Sequence, residues 1–170
     1  MNFLLKAVLS SLVLFLPATG LLYGQQNPDV RTVRWGFTPK QVKEAEPTKP
    51  TSTKKEKLIY ARVPLNDRMV GLEYDFNGDS LLSASYYYYT TASITKDDVL
   101  AASVEFDKQM TEKYGRGKTV PLGDTKNTIW LTPRTQITLS VGNVDRGWSV
   151  ELVYLCRVCS GQSVEAKGKR

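Results

Sequence analysis

Cys156 and Cys159, in the run Cys-Arg-Val-Cys, are the residues of this sequence best spaced for chemistry. A redox pair of this spacing has its first cysteine at a helix N-terminus, where the dipole lowers the thiol pKa. Here the pair follows the alternating residues Trp148, Val150, Leu152 and Tyr154 and precedes Ser160-Gly161, so the helix is missing. Residues three apart on a strand point to opposite faces, and a bulge or turn must intervene before the sulfurs can meet. A local structural disulfide, or two idle thiols, is expected rather than a redox centre. The chain has no histidine, which removes Ser-His-Asp and Cys-His catalysis, most zinc sites and any imidazole switch. Asp75, Asn77 and Asp79 alternate as calcium ligands do, but Gly78 falls at the fourth loop position rather than the sixth and Tyr86 stands where the twelfth needs glutamate. Gly115-Arg116-Gly117-Lys118 has phosphate-loop residue types without the spacing, and at the wrong end of a helix. Asp97, Asp98 and Glu105 are the carboxylates left for acid–base work, which requires two acids converging in one cleft. No catalytic, metal or cofactor residue is expected.

Four consecutive tyrosines, Tyr86 to Tyr89, offer a different chemistry. On a strand two of them face the core, leaving Tyr87 and Tyr89 outward, where Trp130, Val153 and Leu155 of other strands could join them. Tyrosine and tryptophan anchor interfaces because they bury large area at low rotamer cost. The five residues are the expected docking surface; the bland alternative is that outward tyrosines are merely good strand formers.

Two helices and six strands must position these residues. Thr38-Pro39-Lys40-Gln41 is a capping box with proline at the first helical position, and Pro47 and Pro50 stop that helix early. Thr95 caps a second helix that runs to about Tyr114, with Val99, Ala102, Phe106 and Met110 as its apolar stripe and Gly115 as its C-cap. Alternation predicts strands through Ile59–Val63, Val70–Phe76 and Leu82–Tyr88, the last two joined by an Asn77-Gly78 type I′ turn. After the second helix come Ile129 with Leu131, then Ile137, Leu139 and Val141, then Trp148 to Cys156, with Pro133-Arg134 and Gly142 to Gly147 as turns. The expected class is therefore α+β: two helix-plus-three-strand units, read as a diverged internal repeat, with helices packed on an antiparallel sheet.

Around this core the sequence predicts a signal peptide over 1–24, from Lys6, the apolar run Ala7–Leu16 and the small residues after Pro17. The run is shorter than the roughly 20 apolar residues that span a bilayer, and neither cysteine lies near the cleavage point to take a lipid. An extended arm over 25–34, one domain over 35–160 with half-units at about 35–90 and 94–158, a flexible loop over 46–57 and a basic flexible tail over 161–170 complete the organisation. The chain has 23 Lys and Arg against 17 Asp and Glu. The surplus collects at Lys49, Lys54, Lys55 and Lys57 and at Lys167, Lys169 and Arg170 rather than on one folded face, which argues for solubility over nucleic-acid binding.

Trp35-Gly-Phe-Thr-Pro-Lys-Gln-Val42, Lys113-Tyr-Gly115 and Trp130-Leu-Thr132, in this order of elements, resemble small secreted bacterial proteins of the superfamily that includes the β-lactamase-inhibitor protein and the outer-membrane-assembly lipoprotein BamE. The resemblance covers most of the chain after the signal peptide and implies a binding or accessory role without catalytic residues. The lipidated cysteine and an inhibitory loop are absent here, so neither specific activity carries over. The expectation is an exported module of the periplasm or exterior, with no transmembrane anchor, that binds another protein. Two rivals are a small carboxylate-dependent enzyme and a basic module that binds anionic polymers through the linker and tail.

Overall fold

A computed structural model describes residues 27–144 and 147–159; the expected signal peptide and basic tail lie outside the described residues. Thr38 starts α1 (Pro39–Ala45) with a reciprocal capping box, its side chain accepting from Gln41 N while the Gln41 side chain accepts from Thr38 N. The helix ends at Glu46 because that residue precedes Pro47, which forces it into the extended region, φ −81° and ψ 136°. Thr95 and Asp98 make the same box for α2 (Lys96–Tyr114), and Gly115 closes it at φ 79°.

Among the described residues, eight strands form one antiparallel sheet: β1 (Ser52–Lys54), β2 (Lys57–Leu65), β3 (Arg68–Asn77), β4 (Ser80–Tyr89), β5 (Lys118–Leu122), β6 (Thr125–Leu131), β7 (Thr135–Val144) and β8 (Gly147–Cys156). Their order across the sheet is β1-β2-β3-β4-β8-β7-β6-β5. Each helix thus precedes a meander of hairpins, and the last strands of the two meanders, β4 and β8, pair at the centre. One face takes the helices and holds the core, in which Val42 of α1 and Val99, Ala102, Phe106 and Met110 of α2 pack against Tyr60, Leu72, Tyr74, Ile137 and Leu152.

The α+β expectation of two helix-plus-three-strand units is overturned. The fold is mostly β, about 50% strand and 20% helix among the described residues, and each meander has four strands. The unforeseen ones are the edges. β1 lies inside the stretch expected to be a flexible loop over 46–57, and β5 follows directly on the Gly115–Lys118 connector. Neither buries an apolar stripe: β5 is exposed at every residue, Val120 and Leu122 included, and the two strands are held by backbone pairing to β2 and β6.

Other boundaries differ too. The arm expected over 25–34 does not lead in extended, for Val30 and Val33 pair in a tight bridge and are buried. Glu46, at the start of the supposed loop, is buried as well. The β3–β4 turn is not Asn-Gly: Asn77 pairs with Ser80, leaving Gly78-Asp79 as the loop with Gly78 at φ 57°. A bulge between Asp75 and Phe76 absorbs the one-residue shift, and Leu81 beside it exchanges backbone hydrogen bonds with Gly36 and Phe37. Gly142 belongs to β7 rather than to the following turn.

Candidate docking face

Strand alternation decides which side chains share the face opposite the helices. Among the described residues no element covers that face. The pairing sets its rows: Asp75, Ser83, Leu155, Gln136 and Leu131 stand opposite one another across five strands, as do Glu73, Ser85, Val153, Thr138 and Ile129, and then Gly71, Tyr87, Glu151, Ser140 and Asn127. Tyr89 continues the β4 row beside Ser149.

Of the five expected docking residues, four come together here: Tyr87, Tyr89, Val153 and Leu155. The Tyr87 and Tyr89 rings stack, centroids 6.1 Å apart and planes at 19°. The Tyr87 ring crosses the adjacent strand over Gly71, where a Cβ would lie 2.1 Å from its carbons; the missing side chain is what lets the ring lie there. Tyr89 stays 48% exposed.

Trp130 does not belong to this group. It is 3% exposed in the core, its Nε1 donates to the Gly115 carbonyl at 2.9 Å, and its ring covers Gly117. The expected facing of Ile129 and Leu131 is reversed with it. Thr128 to Leu131 offers bulky side chains in both phases, and the indole, with a donor to satisfy, takes the inner one. Leu131 is consequently 62% exposed on the outer face.

The middle of the face is acidic. Lys57 is ion-paired with Glu73 and, at 2.8 Å, with Asp75, whose other oxygen accepts from Ser83 Oγ at 3.1 Å. Desolvation, aided by the charges of Glu73 and Asp75, pushes the Glu151 carboxyl above its ordinary range against a hydrogen bond from Ser85. Three carboxylates and one ammonium thus occupy the centre of a face on a chain of net charge +6. Alternation against Leu72, Tyr74 and Phe76 places Glu73 and Asp75 outward, and this was the signal in the sequence that reveals the acidic centre.

The catalytic candidates are engaged elsewhere. Asp98 accepts from Thr95 in the capping box and Glu105 takes a two-pronged ion pair from Arg68 at 2.8 and 2.7 Å. Both carboxyls are held below their ordinary range by these bonds, the direction opposite to a general acid's need. Asp97 is exposed in the first turn of α2. Lys57 is bound to Glu73 and Asp75 and so is not part of a free basic linker. Cys156 and Cys159 are joined in a disulfide, with Cα atoms 5.7 Å apart, half-buried against the core. Among the described residues there is no cluster of three His, Cys, Asp or Glu to hold a metal, and no helix is long and apolar enough to cross a membrane.

A buried polar knot ties the N-terminal turn to the core. The Glu46 carboxylate accepts from Tyr74 Oη at 2.6 Å, Thr32 Oγ1 at 3.1 Å and Arg31 Nε at 3.0 Å. Asp29 receives Arg134 at 2.7 Å and the Trp35 amide at 3.0 Å, while Trp35 Nε1 donates to Thr135 Oγ1. These bonds are structural, linking the chain start to the sheet.

No protein-family model matches the chain, and neither a curated protein nor a solved structure is detectably similar to it.

Proposed function

We propose that this chain is an exported, non-catalytic module that binds another protein on its uncovered sheet face. The observation that carries the reading is the makeup of that face: a stacked tyrosine pair, the aliphatic groups Val153, Leu155, Ile129 and Leu131, and an acidic centre of Glu73, Asp75 and Glu151. Aromatic anchors are the residues that carry interface energy, and with charge at the centre of this face rather than at its rim the partner must bring the opposite charge there. The partner of matching chemistry carries a lysine or arginine for the acidic centre, flanked by apolar side chains for the tyrosines and the aliphatic rows.

The test is capture from the envelope and medium of the producing cell, with the mature chain as bait beside two variants. Tyr89→Ser with Val153→Glu spoils the face but keeps Tyr87 over Gly71. Val104→Ser changes a side chain that is 69% exposed on α2, away from the face. A protein held by the parent and by Val104→Ser but lost by the face variant is the expected result. Equal capture by all three would sink the docking face. N-terminal sequencing of the exported protein checks the export itself, with a start after Gly20 or Gly24 expected.

A further inference from the structure

At one end of the same sheet a cleft of about 520 Å³ opens between β2, the β2–β3 turn, the end of β4 and the loop into α2. Its origin is local. Tyr60 pairs with Leu72 and Val63 with Val70, so two residues of β2, Ala61 and Arg62, stand against Gly71 alone. The extra residue bends β2 away from β3, and opposite the bend Gly71 has no side chain to fill the gap. Tyr87 and Tyr89, whose rings stack, line one wall; Tyr88 borders the cleft from the helix side beside Arg68, and Arg62, Asp67 and Arg68 supply the charges.

The two arginines are not equivalent. Arg68 gives its Nε and Nη2 to Glu105 and lies 5.7 Å from the Tyr88 ring centroid, so its charge is answered within the fold. Arg62 has no hydrogen bond or ion pair among the described residues. A guanidinium offers a planar fork of donors that matches a carboxylate in two-pronged fashion, and the tyrosine wall offers aromatic area for whatever the carboxylate is attached to. The volume lies in the range, roughly 300–1,000 Å³, that small ligands occupy.

We propose that this cleft binds a carboxylate carried on an aromatic or apolar body, with Arg62 taking the carboxylate and the wall of Tyr87 and Tyr89 taking the body. Such a group comes from two sources, a free aryl carboxylic acid or the C-terminal residue of a peptide. The cleft shares Tyr87 and Tyr89 with the docking face but adds Arg62 and the β2 bulge, which stand outside it; Arg62→Met therefore tests the cleft alone, and Val153→Glu alone tests the docking face. Asp67, in the turn beside the cleft, has no partner among the described residues and opposes an anion.

The experiment is a titration of the chain followed by backbone amide NMR at Gly71 and Tyr87–Thr91. The probes are 4-hydroxyphenylacetate and N-acetyl-glycyl-tyrosine, each beside its amide. Both acids are expected to bind in the millimolar range or tighter and to beat their amides by about tenfold or more, the worth of a charge-assisted hydrogen bond. Arg62→Met should remove that preference while its spectrum stays folded, and Asp67→Asn should tighten the acids by about two- to threefold. If the dipeptide acid outbinds the aryl acetate tenfold, a peptide C-terminus is the source; comparable affinities identify a free acid. Acids that bind no better than amides, or an Arg62→Met chain that binds as the parent does, would overturn the proposal.

Discussion

A Cβ placed on Gly142 would meet backbone, the Asp124 carbonyl oxygen at 2.8 Å and Thr125 Cα at 3.0 Å, whereas one on Gly71 meets only the far end of the Tyr87 side chain. Backbone cannot step aside and a ring can. Gly142→Ala should therefore cost about 2–3 kcal/mol as overpacking, while Gly71→Ala should cost about 1 kcal/mol and turn the Tyr87 ring out of its place. Urea denaturation of the two variants, with the Tyr87 resonances followed in the second, checks the order. Glu46 poses a different kind of problem. Its side chain is fully buried and holds Arg31, Thr32 and Tyr74, so Glu46→Gln leaves the guanidinium without its counter-charge. A loss of about 3 kcal/mol is expected, partly recovered in the double variant with Arg31→Met, as a thermodynamic cycle would show. None of this knot was legible in the sequence. Glu46 lies between a short helix and a proline-rich stretch, a context that reads as solvated, and only the fold brings Tyr74 to it.

The helices were legible because their signals are local. Capping boxes at Thr38 and Thr95, a proline at the first helical position and a glycine at the end act within a few residues, and the α2 stripe of Val99, Ala102, Phe106 and Met110 is the buried set. Thr95→Ala should cost about 1 kcal/mol and Phe106→Ala about 3–5 kcal/mol, a contrast that thermal melts of the two variants measure. Strands in the sheet interior were legible by alternation. The edges were not, since β1 and β5 bury no apolar stripe and exist because β2 and β6 present backbone donors and acceptors to them. Their Lys54, Lys118 and Pro121 also read as edge protection against pairing with other chains. Trp130 escaped because its strand is bulky in both phases, and only the donor satisfied at the Gly115 carbonyl distinguishes them. The four tyrosines of β4 are bulky in both phases as well, and there Ala84 and Tyr86 hold the inner phase and leave Tyr87 and Tyr89 outward, as Val150, Leu152 and Tyr154 leave Val153 and Leu155 outward on β8.

For the molecule as a whole, the distribution of titrating groups fixes the pH response. With no histidine, nothing of ordinary pKa changes charge between about pH 5 and 8 on the side chains, and the melting temperature should be nearly flat there. Burial pushes the Tyr60 and Tyr86 hydroxyls up to about 12 and those of Tyr74 and Tyr154 higher still. An unfolded tyrosine releases its proton near pH 10, so above that pH the unfolded chain binds fewer protons than the folded one and stability falls as pH rises. A loss of about 3 kcal/mol or more by pH 12 is expected, read from melts between pH 8 and 12. Tyr60, whose hydroxyl has no partner in the described structure, supplies part of it, and Tyr60→Phe should flatten the alkaline limb. The central pairing of β4 with β8 carries one further consequence, for the order of assembly. Every other strand pair is a hairpin between neighbours in sequence, while β4 and β8 join residues about 60–70 positions apart. Hairpins close in microseconds, but joining the two meanders must first overcome the entropy of a long loop. The time the chain takes to fold is then set at this single seam, and substitutions such as Leu152→Ala should slow folding, whereas changes in the edge strands should mainly hasten unfolding.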